Sequence, residues 1–421
     1  MQTLSLYFRL VYFALLKWRG IPALPADALR QKAPDFAKFA RIETYDKKYE
    51  CLQIAYMEIG KAELSMKKIA IFQNDLGVGG IQKSLVNLLR NLDYSQLDVD
   101  LYLSEHTEFW SADFPEQLKI KYLKPIPRIF SFMPFDVAKG LVRPDFHEGD
   151  IYDLAIDFNS YQFSCAVGAI AVPARKRVMW VHNNVEIKLG EEWKYRVLWH
   201  FFKGKFKYYD EFVCVSQALI EPFKKMAHVG EKKINVIQNY IDVEEIRNKM
   251  ACRPKGLNID ESCVNFVALG RLCHQKGYDI MLDVFSRACS SRSDLRLYII
   301  GDGPDREQLE EQTNSLKLSD KVFFLGNQSN PYCYMSRMDA FISTSRYEGQ
   351  PLNIMEAMAV GLPLYCSSNL EKYTAGLHGY DDLASAVAAA VKTERRPDNL
   401  AAYNKEIIMS ITELAELAED R

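Results

Sequence analysis

Two carboxylates eight residues apart, Glu348 and Glu356, stand in the segment Tyr347 to Pro363, and their types and spacing admit three readings. Paired carboxylates can act as general acid and base across a glycosidic bond, can accept hydrogen bonds from hydroxyl groups, or can sit solvated on an ordinary surface helix. The flanking residues set their local structure. Pro351 has a fixed φ and no N–H to lose, so it suits the first helical position, and Gly361 followed by Pro363 marks the stop. Leu352, Met355, Met358 and Ala359 repeat at helical spacing and can face a core, which puts Glu356 in the second turn and Glu348 in the loop ahead of the helix. Both carboxylates then flank one positive helix end, which by itself leaves the three readings open. Residues 339–344 read as a strand just before, so the unit is strand, polar loop, helix, the place where open α/β sheets bind ligands.

A second unit of this kind carries cations. Between the strand Val264–Leu269 and a helix beginning near Tyr278, the turn holds Gly270, Arg271, Lys276 and Gly277. A departing diphosphate gains charge as its bond breaks, so it needs paired positive charge and backbone N–H donors at a helix N-terminus. Arg271 and Lys276 can supply that charge; the alternative is a plain solvated loop. Gly301-Asp302-Gly303-Pro304 ends the next strand as a small turn that lets a nucleotide approach the backbone, but without a third glycine it is a poor dinucleotide fingerprint. Gly326-Asn327-Gln328 follows the third strand of this half as a polar turn. Nearer the N-terminus, Gly79 and Gly80 open a helix marked by Ile81, Leu85, Leu88, Leu89 and Leu92, either as turn residues or as backbone donors. His182 stands at the end of the strand-like Arg177–Val181, where a structural histidine is the plain alternative. Asp98 and Asp100 alternate with Leu97, Val99 and Leu101 as a strand does and are not read as a metal-binding pair.

The string Glu348-Gly349-Gln350-Pro351, followed by Glu356-Ala357-Met358-Ala359-Val360-Gly361-Leu362-Pro363, resembles the donor-site signature of glycosyltransferase family 4. Gly270-Arg271 with Lys276-Gly277 resembles that family's diphosphate element, Gly79-Gly80 its acceptor-side glycine loop, and Trp180-Val181-His182 a position contacting the donor hexose. The resemblance implies an α/β protein of the GT-B fold, two Rossmann-like doubly wound domains facing across a cleft, and retaining transfer of a hexose. Arg271 and Lys276 would stabilise the leaving diphosphate, Glu348 and His182 would meet the sugar, and Glu356 would take the ribose diol. Gly79, Gly80, Gly301, Asn327, Gln350, Pro351 and Leu352 would complete the donor site. The implied partners are a nucleotide diphosphate sugar and a glycan or polyprenyl-diphosphate-linked acceptor, as in bacterial surface-polysaccharide assembly. No cofactor or metal is called for if cations and a helix dipole neutralise the phosphates. Two departures stand out: Tyr240 replaces a usual glycine, and Leu370-Glu371-Lys372-Tyr373 replaces a usual Gly-Gly-x-x-Glu. Other classes with the same fold are a catalytically silent partner subunit and a sugar-nucleotide epimerase.

The 421 residues are too many for one ordinary core, and a net charge of −2 gives no global pull toward nucleic acid. Nine scattered cysteines without a Cys-x-x-Cys pair suggest neither a disulfide framework nor zinc, and a reducing cytosol is the simplest compartment. The expected organisation is a helical extension over 1–65, an acceptor-side domain over 66–252, a linker over 253–262, a donor domain over 263–396 and a terminal helix over 397–421 that crosses back to the first domain. The apolar run from Leu4 to Leu16 is interrupted by Arg9 and has its basic residues after it, so it reads as neither a membrane span nor a signal peptide. An interfacial helix at the inner membrane face is preferred over one packed on the protein's own surface. The interleaved aromatic and basic residues from Trp199 to Tyr209 are compatible with a lipid headgroup surface or with a solvated helix whose aromatic face is buried.

Overall fold

A computed structural model describes residues 66–416 apart from 78, 107–113, 138–150, 192, 255, 256, 258 and 399. The extension over 1–65 and its membrane reading lie outside the described residues, as does part of the expected linker. Among the described residues, the first domain is a parallel sheet of β1 (Lys67–Gln73), β2 (Leu97–Leu103), β3 (Lys119–Tyr122), β4 (Tyr152–Asp157), β5 (Ala174–Val181), β6 (Glu211–Cys214) and β7 (Lys233–Val236), in the order β3-β2-β1-β4-β5-β6-β7. Its helices are α1 (Gly80–Asn91), α2 (Phe163–Ala171), α3 (Val185–Glu191), α4 (Trp193–Phe202), α5 (Ile220–Ala227) and α6 (Val243–Met250). The second domain is a parallel sheet of β8 (Val264–Leu269), β9 (Leu295–Ile300), β10 (Val322–Gly326), β11 (Ala340–Ser343), β12 (Leu364–Ser367) and β13 (Gly379–Tyr380), in the order β10-β9-β8-β11-β12-β13. Its helices are α7 (Tyr278–Cys289), α8 (Arg306–Ser315), α9 (Pro331–Met335), α10 (Leu352–Val360) and α11 (Leu383–Ala388), and α12 (Ala401–Glu416) closes the chain.

Covered on both faces, the central strands read as unbroken apolar runs, and Ile69, Ala70, Ile71 and Phe72 are all buried. The strand order reverses at β1/β4 and at β8/β11, so the loops after β1, β8 and β11 emerge at the two switch points. These loops carry Gly79-Gly80, Arg271 with Lys276, and Glu348. The terminal helix α12 packs on β1 and β4, burying Asn404, Ile407, Ile411 and Leu414. Asn404 brackets Ile241, donating to its carbonyl at 2.7 Å and accepting from its N–H at 3.2 Å.

Several local expectations are corrected. Pro351 is the N-cap of α10 rather than its first residue, at φ −77° and ψ 92°. Strands β3 and β7 escape the apolar pattern because each is a short edge strand with polar residues at alternate positions, Lys119 and Lys121 in β3 and Lys233 and Asn235 in β7. Cys252 and Cys333 are joined by a disulfide that ties the end of the first domain to α9, with Cα atoms 5.6 Å apart; their 81-residue separation carries no sequence sign. The segment Trp199 to Tyr209 divides between two roles. Phe206 and Tyr209 are core, Lys205 is buried 3.6 Å from Asp157, and Lys207 remains exposed with Asp136 as its partner at 2.7 Å.

Candidate active site

The segment from Tyr347 to Glu356 is a seam between the domains. Tyr347 donates to Glu191 at 2.7 Å, Ser216 donates to the Gly349 carbonyl at 2.6 Å, and Gln350 accepts from the Asn239 N–H at 2.6 Å while donating to Tyr403 at 2.9 Å. Gly349 has a further reason to be glycine, since a Cβ there would lie 1.9 Å from the His182 carbonyl oxygen. The Glu348 side chain turns back into its own domain. Its Oε1 accepts from Lys276 Nζ at 2.6 Å and its Oε2 lies 3.5 Å from Gln275 Nε2, with the residue 5% exposed.

Glu356 lies one turn into α10 and is equally buried. Its Oε1 accepts from Tyr332 at 3.0 Å and from Lys83, which also stands over the Tyr332 ring at 4.6 Å. Burial, and next the neighbouring carboxylate, push the Tyr332 phenol well up, so its hydroxyl stays a donor.

The cation loop after β8 is built by tight backbone contacts. Gly277 is in the left-handed region at φ +62°, and a Cβ on it would lie 2.3 Å from the Thr344 carbonyl oxygen. Lys276 is thereby held against the loop that carries Glu348, whereas Arg271 is exposed and takes no ion pair among the described residues. Gly301 stands at φ +137° with the Gly270 carbonyl 2.0 Å from where its Cβ would be. The neighbouring cation loop by itself requires glycine there. Asn327 is exposed just beyond β10.

Across the cleft, Gly79 is extended at φ −179°, so neither it nor Gly80 serves as a left-handed turn residue. The N-terminus of α1 takes no side-chain cap among the described residues, so the first-turn N–H groups, which no helix supplies with partners, point out at its positive end, and the Gly80 Cβ position lies 4.0 Å from Leu352 of the second domain. His182 is buried against Phe158, with ring centroids 4.6 Å apart. Burial drives its pKa down to about 3 against a hydrogen bond to the Phe158 backbone, and its Nε2 has no hydrogen-bond partner among the described residues. The imidazole is therefore neutral near pH 7.

A profile described as "Glycosyltransferase Family 4" matches residues 78–245, and one described as "Glycosyl transferases group 1" matches residues 253–372. The chain belongs to the family 4 glycosyltransferases. An uncharacterized glycosyltransferase of Methanocaldococcus jannaschii is 27% identical over 45% of this chain and 47% of its own length, so the chain matches about half of that relative. The N-acetylgalactosamine-N,N'-diacetylbacillosaminyl-diphospho-undecaprenol 4-alpha-N-acetylgalactosaminyltransferase of Campylobacter jejuni is 24% identical over 72% of this chain and 81% of its own. HepE of Anabaena, solved with UDP, superposes with a TM-score of 0.54 at 18% identity, covering 85% of this chain and 95% of that one, which establishes the shared GT-B fold.

In this family 4 glycosyltransferase the two departures from the family pattern have structural answers. Tyr240 needs no glycine, because the non-glycine residues of positive φ among those described are His228 and Lys317. Its loop is held by Ser84 on Asn239 at 2.5 Å and by Asn87 on the Tyr240 carbonyl at 3.2 Å. Glu371 accepts from the Gly379 N–H at 2.7 Å and so serves the start of β13. Lys83, Tyr332 and Ser216 join the site without motifs of their own, whereas Asn239 comes from the loop in which Tyr240 departs from the family pattern. Lys83 has one further sequence sign, its place one turn into the helix opened by Gly79-Gly80.

Proposed function

We propose that this glycosyltransferase transfers a hexose from a nucleotide diphosphate sugar to a hydroxyl of a glycan or lipid-linked glycan, with retention and without a metal, in bacterial surface-polysaccharide synthesis. The observation that carries the reading is the 2.6 Å contact between Lys276 and Glu348 beside the exposed Arg271. It supports the reading because a carboxylate able to accept from hydroxyls then lies against a cation able to bind phosphate, as a sugar diphosphate requires. In the proposed step the bond from the anomeric carbon to the diphosphate oxygen breaks. The acceptor oxygen bonds to that carbon on the same face, and its proton passes to the departing phosphate oxygen. Arg271, Lys276 and the uncapped end of α1 take up the charge that develops, while Glu348 holds sugar hydroxyls and neutral His182 offers Nε2 from the facing domain.

Relatives support the substrate classes. HepE has been solved with UDP, with UDP and glucose, and with UDP-glucose, and the Campylobacter jejuni relative is named for a diphospho-undecaprenol-linked acceptor. No helix among the described residues is long and apolar enough to cross a membrane. Trp193, 66% exposed on α4 beside exposed Arg196 and Val197, supports a peripheral contact with the inner membrane face in the cytoplasm, where such an acceptor would be met. The test is to incubate the protein with a panel of UDP-, GDP- and ADP-sugars and polyprenyl-diphosphate-linked acceptors in a metal chelator, and to identify product and anomeric configuration. A retained glycosidic product is expected. An epimerised nucleotide sugar formed without acceptor, or no turnover with any pair, would overturn the proposal.

A further inference from the structure

Glu356 is 4% exposed, and a buried carboxylate needs compensating donors. Both donors it has among the described residues, Lys83 Nζ and the Tyr332 hydroxyl, fall on Oε1, and Oε2 accepts no hydrogen bond from them. Fixing one oxygen fixes the plane of the carboxylate and presents the other. Among the described residues Glu356 is the carboxylate that pairs with Lys83, while the nearby Glu245 is held by Arg90 at 3.1 Å and Lys249 at 2.6 Å. Tyr332 is itself fixed, being buried in α9 next to the Cys252–Cys333 disulfide. Lys83, however, belongs to α1 of the first domain, and Glu356 to α10 of the second.

We propose that Lys83 is a positioning residue for the donor nucleotide: acting through Glu356, together with Tyr332, it orients the carboxylate that takes the ribose diol. This proposal rests on the glycosyltransferase reading above and adds the residue that completes the ribose site. Because the lysine arrives from the facing domain, the carboxylate is fully oriented only when the domains are together. Nucleotide binding and domain closure are then linked, each favouring the other by the same factor.

The test is calorimetric titration of the full chain with UDP, GDP and ADP and with their 2′-deoxy counterparts. Wild type, Lys83→Met, Lys83→Arg and Tyr332→Phe are compared. Wild type should prefer the ribonucleotide of its base by about 10-fold, the scale of one hydrogen bond to a charged group. Lys83→Met should reduce that preference to below about 2-fold, and Lys83→Arg should restore most of it. A Lys83→Met protein that keeps the wild-type preference overturns the proposal, even if it binds both nucleotides more weakly, since a uniform loss would make Lys83 a phosphate ligand. Tighter binding by Lys83→Met also overturns it, by making Lys83 a competitor for the ribose site. If Lys83→Met does not fold, Tyr332→Phe reads the same ratio with the same two outcomes. Failure of wild type to bind any of these nucleotides would instead sink the glycosyltransferase reading on which the proposal rests.

Discussion

The loop that carries Glu348 and the helical turn that carries Glu356 are eight residues apart and equally buried, yet their cations come from different places. Glu348 faces Lys276 of its own domain, through a loop whose backbone packs against residue 344. Glu356 faces Lys83 of the other domain. The first arrangement persists whether or not the domains meet, whereas the second exists only when they do. On the proposed chemistry, the pairing of Lys276 with Glu348 at the sugar-phosphate end of the donor site is preformed, whereas the carboxylate at the ribose end is oriented by closure, so a donor bound at both ends favours the closed enzyme.

Changes at the preformed end should have the largest effect. Arg271→Ala, Lys276→Ala and Glu348→Ala should each lower turnover by about 10²- to 10³-fold in a product assay, as expected for a lost transition-state contact, with domain closure by small-angle scattering unchanged. Gly349→Ala attacks closure instead. A Cβ there meets the His182 carbonyl oxygen at 1.9 Å, so the scattering profile should broaden and kcat/KM should fall by about 10- to 100-fold while cations and carboxylates stay in place. A closed Gly349→Ala enzyme of normal activity would erase the distinction between the two ends.

His182 offers a pH handle on the seam. Its folded pKa of about 3 lies below the unfolded value near 6.5, so the unfolded chain binds the proton first as pH falls. The stability it contributes is complete above about pH 6.5 and is lost progressively toward pH 3. From pH 6.5 to 4.5 the wild type should lose about 2–3 kcal/mol more than His182→Gln in denaturant titrations, and parallel curves would contradict the burial that sets this shift. The smallest effects belong to single seam hydrogen bonds. Ser216→Ala and Gln350→Ala should each cost about 1 kcal/mol in closure and leave nucleotide affinity at the preformed end intact.

Much of the fold was legible because strands of a doubly wound domain are continuous apolar runs, and β8 and β9 have the bounds their sequences announce. Edge strands β3 and β7 were not, because half of each meets solvent. The donor motifs were legible for a related reason: a tight loop and a helix start need particular residues at fixed short spacings. Their partners across the cleft were not. Ser216, Asn239 and Lys83 lie 133, 111 and 273 residues from Gly349, Gln350 and Glu356, and although Asn239 and Lys83 stand in or beside recognisable loops, nothing local announces which distant residue each one meets. Gln350 shows the limit most clearly, since its motif marks it as a site residue while its side chain is engaged by Asn239 and Tyr403.

The most direct test of this account is a crystal structure of the wild-type protein with the nucleotide diphosphate that supports its turnover. The account predicts the diphosphate at Arg271, Lys276 and the start of α1, and the ribose on Glu356 with Lys83 still at the other carboxylate oxygen. A nucleotide bound away from Glu356, or a ribose that has displaced Lys83 from it, would contradict the division into a preformed end and one completed by closure.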